Sequence, residues 1–263
     1  MTDDKVPAIR LSGVSKRFGE KVVLDAIDLT VPKGQSLVVL GKSGIGKSVL
    51  LKHIIGLLKP DAGTVEIDGQ DLWTLKPVER DQLRRKFGMS FQEGALFDSM
   101  TVGQNIAFPL KRHTKLSRAD VKARVAECLG LVHLEGIEDK RTSELSGGMR
   151  RRVGFARAIA LQPEILLFDE PTTGLDPVTT DALVRVIDTI EERFNPTMVI
   201  ITHDLKVAFA LAERVAMLAG GKIHIDLPPR EFEACDDPQV QALVKGDSTI
   251  LTEEPDLVGG AAR

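Results

Sequence analysis

The sequence predicts an α/β fold in which a mostly parallel sheet with flanking helices is joined by an N-terminal antiparallel β subdomain and an inserted α-helical subdomain. Three observations carry this. Residues 37–40, 165–168, 198–201 and 215–218 are short apolar runs without the polar alternation of a half-solvated strand, so each is expected to be buried on both faces. Helical patterns such as 49–58 and 181–194 lie between them, the order that a parallel sheet with crossover helices requires. The first 35 residues and 64–67 differ, holding β-rich pieces (9–11, 22–24, 27–31) broken by Gly and Pro, which suggests an antiparallel sheet laid against the parallel core.

Between residues 93 and 153 there is no buried-strand run. This stretch does contain an amphipathic helix, announced by Ser117 and Asp120 in capping-box spacing and continued by Val121, Val125, Cys128 and Leu129 on one face. It reads as a helical insertion, in a chain whose length fits one large domain or two intimate ones. The last 18 residues, 246–263, hold four acids, one base, a proline and two adjacent glycines, a composition expected to be disordered or docked on a partner. A chain of 263 residues is long enough to bury a large core, so disulfide stapling is not needed. Cys128 and Cys235 lie in different segments and are expected to be reduced; neither has metal-ligand spacing.

Lys plus Arg total 35 against 38 Asp plus Glu, a net charge of −3, so no global basic field draws the protein to nucleic acid or anionic lipid. The longest stretch free of Asp, Glu, Lys and Arg runs twelve residues, from Ser99 to Leu110, against the roughly 20 that a membrane-spanning helix needs. Met1 is followed by Thr2, Asp3, Asp4 and Lys5, unlike the basic start of a signal peptide, and a cytoplasmic location is expected.

The most specific motif is Gly41, Lys42, Ser43, Gly44, Ile45, Gly46, Lys47, Ser48, which matches G-x-x-x-x-G-K-[ST] between a buried strand and a helix. Glycines let successive backbone N–H groups point around phosphate oxygens, and the helix N-terminus adds partial positive charge. Lys47 is expected to bridge β and γ phosphates and Ser48 to coordinate magnesium, so the parallel sheet reads as a P-loop NTPase core. Asp169 and Glu170 follow a buried strand, where doubly wound sheets bind ligands. Asp169 is the candidate magnesium carboxylate, and Glu170 the candidate acceptor of a proton from the attacking water.

Three further positions each carry two readings. His203, also past a buried strand, is either a γ-phosphate contact or a structural hydrogen-bonder. Gln92 offers an amide oxygen to magnesium or water, or is an ordinary surface amide. Residues 145–149, LSGGM, form either a flexible loop or a second anion nest before a helix, built on Ser146, Gly147 and Gly148. Two cradles and one magnesium carboxylate in one chain are reconciled by a two-fold dimer in which each chain completes the other's site. Arg150, Arg151 and Arg152 read as a solvated helix face, with a phosphate or partner contact as the alternative.

Taken in order, the P-loop, Gln92, LSGGM, Asp169–Glu170, the turn Thr173-Gly174-Leu175-Asp176 and His203 resemble the nucleotide-binding subunit of ATP-binding-cassette transporters over residues 6–245. The resemblance implies ATP and magnesium as ligands and an ATP-sandwich homodimer. In that dimer Ser146 and the Gly147 and Gly148 amides bind the partner's γ-phosphate and Asp176 crosses the interface. Gln92 is implied as the link to an integral membrane permease. Phe18 corresponds to the family's adenine-stacking aromatic, usually Tyr; its other reading is a core Phe at a strand end. The variants SGIGKS, QEGALF (92–97), NIAFPL (105–110) and the Met of LSGGM look like the ATPases of Mla/MCE phospholipid transporters. That resemblance implies an MCE-domain lipid-binding protein and a small STAS-type regulator as partners, and a peripheral location on the cytoplasmic face of the inner membrane. Leu96 and Phe97 are candidates for a permease-holding groove, or else core.

Two departures stand out: Met149 replaces the usual Gln, and Lys42 adds a charge beside the phosphate loop. Other solutes remain open to such a motor. A soluble cassette ATPase acting on nucleic acid or ribosomes fits poorly with one cassette, no sustained heptads and an acidic balance, so no nucleic-acid partner is expected. A small-molecule kinase leaves LSGGM without a task, and a GTPase is disfavoured because neither Asn105 nor Asn195 is followed by Lys.

Overall fold

The computed structural model describes residues 6–92 and 94–245. Two long strands, β1 (Ile9–Phe18) and β2 (Lys21–Val31), pair antiparallel and form a four-stranded sheet with β4 (Ala62–Ile67) and β5 (Gln70–Asp71), in the order β2-β1-β4-β5. Residues 22–24 and 27–31, separate pieces in the sequence pattern, are one strand. A register shift absorbs the interruption: Ala26 sits at φ +49°, and its N–H is satisfied by the Ser15 hydroxyl at 2.9 Å.

The second sheet has six strands: β3 (Ser36–Leu40), β6 (Phe87–Ser90), β7 (Ile165–Asp169), β8 (Thr197–Thr202), β9 (Arg214–Ala219) and β10 (Lys222–Leu227). Their order is β10-β9-β3-β8-β7-β6, parallel throughout except for the antiparallel edge strand β10. All four apolar runs lie in this sheet. Strand β6 has no counterpart in the sequence reading, because Gly88 and Ser90 interrupt its apolar pattern. The glycine is a packing requirement, since a Cβ there would stand 2.4 Å from the Ala158 carbonyl oxygen and 2.7 Å from Leu166 Cδ2.

This sheet divides the apolar interior in two. Val38, Leu40, Leu166 and Phe168 pack among helices on one side; Leu37, Val39, Ile165 and Leu167 face the four-stranded sheet on the other. The strands therefore alternate between two apolar faces, and no polar period appears.

Helix α1 (Lys47–Ile54) follows β3 and buries Leu50, Leu51 and Ile54 toward the four-stranded sheet. It is shorter than the expected 49–58 and begins earlier. Gly56, at φ +70°, ends it, and the Leu57 and Leu58 amides turn back to the Lys52 carbonyl at 2.8 and 3.0 Å. After α2 (Pro77–Arg84), the stretch without buried strands holds α3 (Val102–His113), α4 (Arg118–Leu131), a short 3₁₀ turn and α5 (Gly147–Ala158). Ser117 accepts from the Asp120 amide at 3.2 Å, and Val121, Val125, Cys128 and Leu129 are buried as the pattern requires. Burial pushes the Cys128 thiol up to about 11, which leaves it unreactive.

Helix α6 (Pro177–Phe194) starts ahead of the expected residue 181 because Asp176 caps it and Pro177 takes its first position; Asn195, at φ +43°, ends it. Helices α7 (Leu205–Leu211), α8 (Pro229–Glu233) and α9 (Pro238–Lys245) follow. The expectation for 246–263 lies outside the described residues.

Candidate active site

The turn from β3 into α1 leaves no room for side chains at two glycines. A Cβ on Gly41 would meet the Leu218 carbonyl oxygen at 2.7 Å, and one on Gly46, at φ +116°, would meet Val23 Cγ1 at 2.8 Å. Lys47, the first residue of α1, is only 5% exposed. Its ammonium donates to the Gly41 and Lys42 carbonyls at 2.6 and 2.9 Å and pairs with Glu170 Oε1 at 3.2 Å. A buried cation needs such partners, and phosphate oxygens arriving in the loop would compete for the same donor.

Asp169 ends β7 and accepts from the Ser48 hydroxyl at 2.9 Å. Burial raises the Asp169 carboxyl and the neighbouring Glu170 adds to this, while the Ser48 hydrogen bond and Lys47 oppose it. The pair is a set of hard oxygen donors, the chemistry magnesium selects. Glu170 sits at φ +50°, an uncommon conformation for a glutamate, with its N–H on the Ile201 carbonyl at 2.9 Å. Its Oε2 accepts from the Thr173 hydroxyl and faces His203 Nδ1, both at 2.8 Å. Burial favours the neutral carboxyl, but Thr173, Lys47 and His203 together outweigh it and hold Glu170 below the usual glutamate range.

His203 is 54% exposed. A carboxylate only accepts, so Nδ1 carries a proton in this contact, and Nε2 meets a phosphate as a donor only when the ring is cationic. The structure therefore brings Lys47, Ser48, Asp169, Glu170 and His203 together at the carboxyl ends of β3, β7 and β8. Gln92 is exposed just past the end of β6, which pairs with β7 through Ser90 and Phe168. Phe18 is 50% exposed in the β1–β2 turn, with Lys16 Nζ 5.7 Å from its ring centroid, so the core reading fails. Strand β2 approaches the phosphate loop through Val23.

The second glycine turn is the N-terminus of α5. Ser146 is its N-cap and accepts from the Met149 amide at 3.3 Å. Ser146 and Gly147 are exposed, and a Cβ on Gly147 would meet nothing within 4 Å. Gly148 is wedged against α6, where a Cβ would stand 2.6 Å from Thr179 Cγ2. Asp176, exposed beside it, accepts from the Thr179 amide at 3.0 Å and from its hydroxyl at 2.6 Å. Those contacts, the hydroxyl foremost, hold its carboxyl below the usual range.

The expectation of a solvated face holds for exposed Arg150 and fails for buried Arg151 and half-buried Arg152. Arg150 donates to the Thr142 carbonyl at 3.2 Å, and Arg152 to those of Val132 and His133, both at 3.3 Å. Arg151 is 9% exposed and donates to the carbonyls of Pro171, at 3.2 Å, and Thr173. Irregular loops around α5 carry carbonyls with no ladder partner, and a guanidinium satisfies several at once.

Further along the helix, Arg157 holds the Gly94 and Ala95 carbonyls at 2.8 and 2.9 Å. Buried Asn105 accepts from the Phe97 amide at 2.8 Å and donates to the Phe97 and Thr101 carbonyls. Phe97 so held is 41% exposed and packs on Phe108, 38% exposed, with ring centroids 4.9 Å apart; Leu96 turns into the core. Thr173, Asn105 and Phe108 lie within the quoted turn and NIAFPL motifs but were not singled out as site residues, because their partners Glu170 and Phe97 are set by the fold.

A buried phosphate-loop lysine, a serine–aspartate pair and a glutamate with a left-handed backbone, gathered at the carboxyl ends of neighbouring strands, define a P-loop ATPase. The chain belongs to the ABC transporter ATPase family, whose model matches residues 24–173. It is 41% identical over 91% of its length to the probable ribonucleotide transport ATP-binding protein Mkl of Mycobacterium tuberculosis, spanning 67% of that protein. It is 36% identical to the intermembrane phospholipid transport ATP-binding protein MlaF of Haemophilus influenzae, covering 91% of each chain. The Fe(3+) import ATP-binding protein FbpC of Escherichia coli is 38% identical over 92% of this chain and 68% of its own. Among solved structures, the dimeric form of a bacterial ABC transporter cassette superposes with a TM-score of 0.78 at 33% identity, covering 84% of this chain and 99% of that one.

Proposed function

We propose that this chain drives phospholipid movement between the inner membrane and the envelope, hydrolysing ATP as a two-fold pair bound to an integral permease and an MCE-domain lipid-binding protein. The observation that carries the motor reading is the Lys47–Glu170–His203 cluster beside the Ser48–Asp169 pair. ATP phosphates draw Lys47 from Glu170, which frees Oε1 to accept a proton from the attacking water while Thr173 and His203 keep Oε2 in place. Ser48 and Asp169 would hold magnesium, with Gln92 completing the set; when bound, the ion neutralises charge on the β and γ phosphates. Phe18 offers its exposed ring to adenine. The exposed Ser146–Gly148 turn and Asp176 then serve the partner's nucleotide.

Among the described residues no helix is long and apolar enough to cross a membrane, which suits a peripheral subunit held through a permease. The Phe97–Phe108 pair, beside the Gln92 turn, is the candidate seat for a permease helix, and closure of the pair around ATP would move it. Similarity to the Haemophilus phospholipid ATPase along most of both chains supports lipid as cargo. The relatives named for ribonucleotide and Fe(3+) transport favour a second reading, in which another permease sets another solute. Reconstitution with the co-purifying membrane subunits in vesicles decides between them. Lipid-dependent ATPase activity and phospholipid movement are expected; indifference to phospholipid with a response to another solute would remove the lipid assignment and leave the ATPase.

A further inference from the structure

We infer that Arg151 is a positioning residue for Glu170, through which the helix that begins at Ser146 sets the aim of the carboxylate in the same chain. The inference rests on the proposed role of Glu170 as proton acceptor and deepens it. Three links connect the two. Helix α5 carries Arg151 one and a half turns after its Ser146 cap, and the guanidinium, 9% exposed, reaches across to the carbonyls of Pro171 and Thr173. Thr173 in turn donates its hydroxyl to Glu170 Oε2 at 2.8 Å. Glu170 itself holds a left-handed backbone, φ +50°, which costs energy and persists only where its surroundings impose it.

The loop from Glu170 to Asp176 has few bonds of its own: the Thr173 amide reaches the Glu170 carbonyl at 3.4 Å and the Leu175 amide reaches that of Thr172 at 3.2 Å. Arg151 therefore supplies two of the contacts that keep this turn in register. A guanidinium presents two fixed donors on separate nitrogens to carbonyls two residues apart; a lysine ammonium is a single point. Gly148, wedged on Thr179, gives α5 a second hold beyond the same loop. Movement of the Ser146 end of the helix is thus transmitted at two points to the segment bearing Glu170 and Asp176.

Arg152 is the internal control. It lies on the same helix and binds carbonyls in the same way, but those of Val132 and His133, away from Glu170. With the full-length chain, Arg151→Met is expected to lower kcat about 10- to 100-fold, the scale of a misplaced catalytic group, while the KM for ATP stays within about twofold. Arg151→Lys is expected to recover part of kcat. Arg152→Met is expected to lower the melting temperature with kcat within about twofold of the parent. In a Glu170→Gln background, Arg151→Met should still allow ATP-trapped dimers, because binding is untouched.

Unchanged kcat in Arg151→Met, or an equal fall in Arg152→Met, would overturn the inference. So would a rise in KM matching the fall in kcat, or failure of both Arg151 variants to fold, since the residue is then a general support. Failure of the parent reading looks different: Glu170→Gln would itself turn over normally.

Discussion

The phosphate loop and the Ser146 turn are both glycine-rich segments that open a helix, yet their surroundings are opposite. At the first, Lys47 is buried, bonded to two loop carbonyls and paired with Glu170, and Ser48 is already joined to Asp169. At the second, Ser146 and Gly147 stand in solvent, and the Ser146 hydroxyl caps its own helix. Both offer backbone N–H groups and a helix terminus to an anion. The first also carries a buried ammonium, the Ser48–Asp169 oxygen pair and the Glu170 carboxylate. A glycine turn before a helix thus supplies donors to an anion but not by itself a phosphate site, and what lies around it decides the rest.

The sharpest way to break this contrast is to remove the inner cation. Lys47→Ala should abolish ATPase activity and weaken ATP binding by about 1.5–3 kcal/mol in a folded protein, measured by steady-state turnover and nucleotide titration. Normal turnover would show that the buried cluster is not the phosphate site. At the outer turn, Ser146→Arg should leave ATP binding by the single chain intact yet block ATP-dependent dimerisation, read by light scattering or gel filtration with and without ATP. If those chains still pair, the turn serves no neighbour.

A third substitution separates binding from chemistry within the inner region. Glu170→Gln should bind magnesium–ATP, hydrolyse it at least about 100-fold more slowly, and accumulate ATP-bound dimers. Loss of binding instead would make Glu170 a metal-site or structural acid.

The smallest expected effect is on stability. Burial raises the Asp169 carboxyl in the fold, so its ionised form is disfavoured relative to the unfolded chain. That cost is absent below the unfolded value and fully present above the folded one. Asp169→Asn should therefore raise the melting temperature by about 2 °C at pH 8 and by less at pH 4, measured without nucleotide. An equal gain at both pH values would assign it to something other than charge.

Much of this was legible in the sequence because it is local or periodic. The doubly buried strands lack a polar period, the P-loop is contiguous, and Ser117 with Asp120 three residues on marks the start of a helix. What was not legible depends on contacts between distant segments. Gly88 hides β6 because the reason for the glycine, the Ala158 carbonyl, lies seventy residues away in the chain. Arg151 looks like one charge in a run of three until Pro171 and Thr173 are folded beside it. Phe18 was readable two ways since the end of a strand is either inside or outside, and only its 50% exposure separates them.

The wall formed by the six-stranded sheet has an energetic consequence. Val38 and Val39 are consecutive residues, yet each belongs to a different packed interior, one bounded by helices and the other by the second sheet. Neighbours in sequence are thus strangers in packing, and their truncations should combine additively, to within about 0.5 kcal/mol, as those of remote sites do. Val38 shares its interior instead with Phe155 and Phe168, which stack edge to face at 5.1 Å. Nonadditivity in this protein is expected to follow the faces of the sheet rather than the order of the chain.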